Sequence, residues 1–162
     1  MGRLLDLEDL VHLRLVSSPD VDPDGRKVLF VVTRMNLEKD RYESNIWVYE
    51  VDRGVYEAVT SGPGDRCPKW APDGERFAFI SRRFLKEEEK GAEIWIGRMG
   101  AEPRHLTTFP LGVDSYDWSP DGEKLAVVAP EGKPEEDVKH VEDIPVWFNG
   151  VGFVYNIDKH LY

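Results

Sequence analysis

The chain has 162 residues and carries 21 Lys and Arg against 31 Asp and Glu, a net charge of −10 at pH 7. That balance argues against a nucleic-acid-binding surface, because phosphate contacts need a basic footprint. Acidic residues interrupt the apolar run from Met1 to Asp9, so neither a signal peptide nor a membrane span is expected; the single cysteine, Cys67, excludes an internal disulfide, and a cytoplasmic location is the expectation.

In chain order, Asp6 stands three positions before Asp9 in a capping-box-like arrangement, with Leu7, Leu10 and Val11 at helical spacing. A short N-terminal helix and lead-in are expected over residues 1–16. Ser17-Ser18-Pro19-Asp20-Val21 then reads as a first inner strand, running into Pro23-Asp24-Gly25 and the apolar run Val28–Thr33. A polar connection from Asn36 to Ser44 leads to a third strand at Asn45–Val51 and, after Asp52-Arg53-Gly54, a fourth at Val55–Thr60.

The same order recurs. Pro72-Asp73-Gly74 and Pro120-Asp121-Gly122 are each followed by two charged residues and an apolar run, Phe77–Ser81 and Lys124–Ala129. The prolines at 23, 72 and 120 are 49 and 48 residues apart, a period typical of propeller blades or solenoid units. Each motif has a local cause: proline presets φ at the second position of a turn, Asp tolerates the third, and Gly takes the left-handed conformation that closes the hairpin. The runs that follow are too short for helices and read as strands buried on both faces. The fold class is therefore all-β, part of a β-propeller with two complete four-stranded blades and part of a third. The divisions are 17–62 for the first blade, 63–111 for the second and 112–162 for the partial third, with an insertion over 130–158.

Candidate sites are few. His12, His105, His140 and His160 lie on different elements without partners at metal-ligand spacing, so no metal or cofactor is expected. Cys67, near the end of a short inner strand, is expected to be buried and inert. Glu87-Glu88-Glu89 between Lys86 and Lys90 reads as a solvated loop. Trp47, Trp70, Trp95 and Trp118 recur at equivalent blade positions and read as inter-blade packing. Trp147 and Phe148 sit in the irregular insertion, where aromatic residues either pack or meet substrate.

The Asp-Leu-Val-His-Leu-Arg-Leu opening (residues 9–15), the three Pro-Asp-Gly hairpins, Asn45-Ile46-Trp47-Val48, and Trp147-Phe148-Asn149-Gly150-Val151-Gly152-Phe153 followed by His160-Leu161-Tyr162 together resemble the N-terminal β-propeller of acylaminoacyl peptidases, in the prolyl oligopeptidase family. The Trp-Phe-Asn-Gly segment is the discriminating feature, since TolB-type propellers share the hairpins. The resemblance implies a propeller that gates short acyl peptides toward an α/β-hydrolase domain bearing the Ser-His-Asp triad. No serine here stands in the Gly-x-Ser-x-Gly spacing of a nucleophile elbow, so no catalytic residue is assigned to this chain. Glu135-Glu136 does not match the acidic pair with which related dipeptidyl peptidases hold an amino terminus. The expected partners are the remaining blades and the hydrolase domain, or a second copy through the open blade faces. The other function class is a stand-alone TolB-like interaction module.

Overall fold

The computed structural model describes residue 4 and residues 6–83, 91–132, 146–148, 152–154 and 157–162; for 7, 8, 146–148, 152–154 and 157 it describes the backbone alone. Three antiparallel sheets follow one another along the chain. The first is β1 (Arg14–Val21), β2 (Lys27–Asn36), β3 (Arg41–Glu50) and β4 (Val55–Ala58) in simple up-and-down order. The second repeats it with β5 (Arg66–Trp70), β6 (Arg76–Ser81), β7 (Glu93–Arg98) and β8 (Arg104–His105). The third contains β9 (Ser115–Trp118), β10 (Leu125–Gly132) and, after a separate hairpin of β11 (Val146–Phe148) and β12 (Gly152–Val154), β13 (Ile157–Leu161). His160-Leu161-Tyr162 thus closes on the third strand of its blade, with Leu161 opposite Val128.

The expected helical opening is a six-residue 3-10 helix, Leu7–His12. The Asp9 carboxylate accepts the Asp6 N–H at 2.9 Å, the reach-back half of a capping box. The segment is too short to propagate an α-helix, and from Arg14 onward the chain is claimed by pairing with Arg34, Thr33 and Val32.

The polar stretch read as a connection from Asn36 to Ser44 is mostly ladder: β2 and β3 stay paired out to Asn36 opposite Arg41. Its cause is Glu43, only 6% exposed. Its carboxylate accepts from Arg34 at 3.1 Å, Asn36 at 3.0 Å and Lys39 at 3.3 Å. The blade ends shorten instead. Thr60, expected in the fourth strand, leaves the ladder and accepts the Ile46 N–H on its hydroxyl at 3.0 Å, as Thr107 accepts the Ile94 N–H in the second blade, also at 3.0 Å.

Strand alternation gives each sheet two faces. One face of the second sheet sends Trp70, Phe77, Phe79 and Trp95 onto Leu29, Ile46 and Val48 of the first. Its other face brings Ala78, Ile80 and Ile94 against Val113, Tyr116 and Val127 of the third. β6 is therefore buried on both faces from Phe77 through Ser81, and β7 from Glu93 through Trp95. β2 and β10, expected to match β6, alternate between buried and partly exposed positions because each of their sheets has one described neighbour. Gly97 is part of the packing: Phe77 lies across it so closely that a Cβ would fall 2.3 Å from the ring.

Candidate functional site

The chemistry-bearing residues gather at two ends of the inner strands β1, β5 and β9. At one end are the three hairpin turns. In each, the glycine N–H donates back to the residue before proline: Gly25 to Asp22 at 3.0 Å, Gly74 to Ala71 at 3.0 Å and Gly122 to Ser119 at 2.9 Å. The glycines have φ of 71°, 68° and 69°, a region that side chains with a Cβ enter only with strain. The turns stack from blade to blade, since Gly74 faces Pro23 and Gly122 faces Pro72, 3.3 Å from where a Cβ would stand.

Each turn is tied by an acidic group in its own way. Asp73 accepts the N–H groups of Glu75 and Arg76, and Asp121 that of Glu123. Burial pushes Asp73 up, but hydrogen bonds from the Arg76 backbone and side chain outweigh it and hold the carboxyl below its ordinary value. In the first turn the work falls to Asp22, which accepts from Arg26 at 2.7 Å and Lys27 at 2.9 Å. Sequence reasoning missed that residue, although Asp in the position before proline was the available signal.

Along the inner strands the expectation for Cys67 fails: it is exposed, with φ of 51°. Ser18, 49 residues earlier, shares that conformation, and the ladder shifts register at both places. The residue after each is proline, which brings no N–H to the ladder and so permits a bulge. In the third blade Tyr116 replaces that proline and pairing continues. The Tyr116 hydroxyl then donates to the Cys67 carbonyl at 2.6 Å, and Trp118 Nε1 to the Lys69 carbonyl at 3.1 Å. Burial first, then the nearby Cys67, Asp20 and Asp117, push the Tyr116 phenol far above its usual range. Asp20 takes the Trp70 N–H at 2.7 Å, and Lys69 bridges to Asp117 at 3.0 Å. The inner rim is thereby a continuous polar seam across three blades.

At the opposite end Asp65 is fully buried. It accepts from Ser81 Oγ at 2.6 Å and from Arg83 at 2.8 Å, while the Arg83 guanidinium lies 5.0 Å from the rings of both Phe79 and Trp95. A charge pair out of water needs such full satisfaction to be tolerated. It spans the first two blades, because the Ser44 hydroxyl holds the Asp65 carbonyl.

The remaining candidates are not brought together. His12 and His160 are exposed and His105 lies against Trp95 at 4.9 Å. Among the described residues no three His, Cys, Asp or Glu side chains converge as a metal site, and no helix is long and apolar enough to cross a membrane. Trp70 and Trp95 pack between the first two blades and Trp118 against the second core, whereas Trp47 meets Tyr56 of its own sheet at 6.0 Å. Trp147 and Phe148 pair with Phe153 and Gly152 in the β11–β12 hairpin. Their side chains, like His140, Glu135-Glu136 and the Lys86–Lys90 loop, lie outside the described residues.

Solved structures repeat this arrangement. An acylaminoacyl peptidase of Pyrococcus horikoshii superposes with a TM-score of 0.77 over 95% of this chain and 23% of that one, at 23% identity. An acylaminoacyl peptidase in complex with Z-Gly-Gly-Phe-chloromethyl ketone gives 0.79 over 97% of this chain and 24% of its own, at 23% identity. The chain has the propeller fold of the acylaminoacyl peptidases. The β-propeller domain of the trilobed protease from Pyrococcus furiosus matches the same propeller segment with a TM-score of 0.58 and 25% identity, over 71% of this chain and 33% of that one. In sequence, the uncharacterized peptidase YuxL of Bacillus subtilis (strain 168) is 39% identical over 115 residues, 70% of this chain. The propeller segment spans 17% of that relative's length. No protein-family model matches it.

Proposed function

We propose that the chain is the non-catalytic propeller portion of a cytoplasmic serine exopeptidase that removes N-acylated amino acids or short acyl peptides. Its role is to gate access to a hydrolase domain, with further blades completing the ring. The observation that carries this reading is the superposition of nearly the whole chain on acylaminoacyl peptidase propellers, joined to a peptidase relative in sequence. The polar inner seam and its stacked turns suit a rigid channel wall, since every strand end there is tied to the next blade. Acyl transfer itself would rest on serine attack, histidine proton transfer and backbone oxyanion donors supplied outside these residues. Trp147 and Phe148 are assigned to the substrate side of that channel.

The test has two arms. A fluorophosphonate probe should leave the 162-residue chain unlabelled and label one serine when the chain is joined to its hydrolase domain. Trp147→Ala with Phe148→Ala in that joined protein should raise KM for short acyl peptides while the probe labels at the wild-type rate. Labelling of the isolated chain, or a joined protein inert toward acyl peptides, refutes the reading.

A further inference from the structure

The first two blades present different outer edges. In the first, the Val51 N–H donates to the Arg26 carbonyl and the Val59 N–H to the Ile46 carbonyl, both at 2.8 Å. Backbone groups alternate sides along a strand, so Val55 and Glu57 bond inward to β3 while the N–H and C=O groups of Tyr56 and Ala58 turn outward. These outward groups have no hydrogen-bond partner among the described residues, and all four residues of β4 are exposed. β4 is the last strand of a four-stranded sheet, so the free edge belongs to the blade itself.

The second blade guards the same edge. The Leu106 N–H donates to the Ile94 carbonyl at 3.0 Å, which makes His105 and, just before β8, Pro103 the outward positions. Proline has no N–H to offer there, and β8 is only two residues long and carries Arg104. Shortness, proline and charge are the devices that blunt an edge strand. β4 is twice that length and has neither proline nor a cation.

We propose that β4 pairs with β4 of a second copy of this chain, antiparallel about a two-fold axis at Tyr56, so that two blades become one continuous sheet. The register follows from the chemistry of the strand. Outward groups must meet outward groups, which allows Tyr56 opposite Tyr56, Tyr56 opposite Ala58, or Ala58 opposite Ala58 of the second copy. The second option sets Glu57 against Glu57, like charges directly opposite each other; the third carries Tyr56 past the end of the facing strand. The first option sets Glu57 against Val55 and brings the two Tyr56 rings side by side, each already 6.0 Å from its own Trp47. Charge agrees with this choice. Each copy carries −10, yet residues 51–58 hold Arg53 against only Asp52 and Glu57, so the copies meet where their repulsion is low. The pairing is independent of the peptidase reading and of the open blade faces, because it uses only the edge of β4.

Sedimentation velocity on the 162-residue chain over a concentration series should show a monomer–dimer equilibrium, with the Tyr56 amide gaining hydrogen-exchange protection as the dimer fills. Tyr56→Pro removes the N–H that crosses the axis and spares the bonds to β3, so it should abolish the dimer. Val55→Glu places a carboxylate opposite Glu57 and should weaken the dimer about threefold, whereas Val55→Lys should tighten it by about the same factor. Thermal melts of each variant report whether the blade stays folded, and if Tyr56→Pro does not fold the two Val55 variants decide. Absence of a dimer up to about 1 mM, a Tyr56 amide whose exchange ignores concentration, or a dimer equally tight in Val55→Glu and Val55→Lys would each overturn the proposal.

Discussion

The two interfaces that join the three sheets use the same strand positions and reach different results. Between the first and second sheets Phe77, Phe79, Trp95 and Trp70 fill the space against Leu29, Ile46 and Val48, and every one of these is buried. Between the second and third, Leu125 and Val127 stand where Phe77 and Phe79 stand one blade earlier, facing Ala78, Ile80 and Ile94. There Ile96, Trp118 and Leu125 remain partly exposed. At the inner rim the second interface has two side-chain hydrogen bonds, from Tyr116 and Trp118, onto the neighbouring backbone, and the first has one, from the Trp70 N–H to Asp20, while the buried Trp70 Nε1 has no partner among the described residues. Both interfaces thus combine an apolar core with polar ties, in different proportion.

Breaking the aromatic interface should have the largest effect. Phe79→Ala removes a fully buried ring and should cost about 3–5 kcal/mol, with Val127→Ala across the other interface costing less, about 1–2 kcal/mol. Urea melts with a common m-value measure both, and equal losses would erase the distinction. Next comes the charge pair that locks the first interface. Asp65→Ala leaves Arg83 largely buried and without its carboxylate, for a loss of about 3 kcal/mol. Adding Arg83→Met should recover a good part of it, which a purely local role for Asp65 would not allow.

The stacked turns sharpen the comparison at smaller scale. Valine at Gly25, Gly74 or Gly122 is strained by positive φ, at about 1–3 kcal/mol. Gly122→Val should be the worst of the three, since Pro72 and Arg76 crowd its Cβ while Gly25 has open space. A denaturant series in which all three shift equally would mean that stacking contributes nothing beyond the turn itself.

The smallest effect is expected on acidification. Burial raises the Glu43 carboxyl, but hydrogen bonds from Lys39 and Arg34 prevail and hold it below its ordinary 4.5. A carboxylate whose folded value lies below its unfolded value adds stability above the unfolded value and loses it as pH falls through the folded one. Stability should therefore decline below about pH 4.5, and Glu43→Gln should show a shallower decline from a starting point about 1 kcal/mol lower. Thermal melts between pH 7 and pH 3 give both slopes; parallel slopes would remove Glu43 from the acid response.

Much of the architecture was present in local chemistry. Pro-Asp-Gly followed by a β-branched or aromatic run specifies a hairpin with information carried inside a dozen residues, and its recurrence gives blade number and order. Strand identities for β2, β3, β6 and β10 follow from the same signals. What tertiary structure decided is everything that depends on a neighbour about 50 residues away. Cys67 is exposed because a proline bulge turns it from the ladder; Asp65 meets Arg83 only once two blades are in register; Glu43 extends a ladder through a stretch whose composition reads as loop. Turn and strand preferences are short-range and survive in a string of residues, whereas burial, pairing partners and empty space arise from how the faces of successive sheets meet.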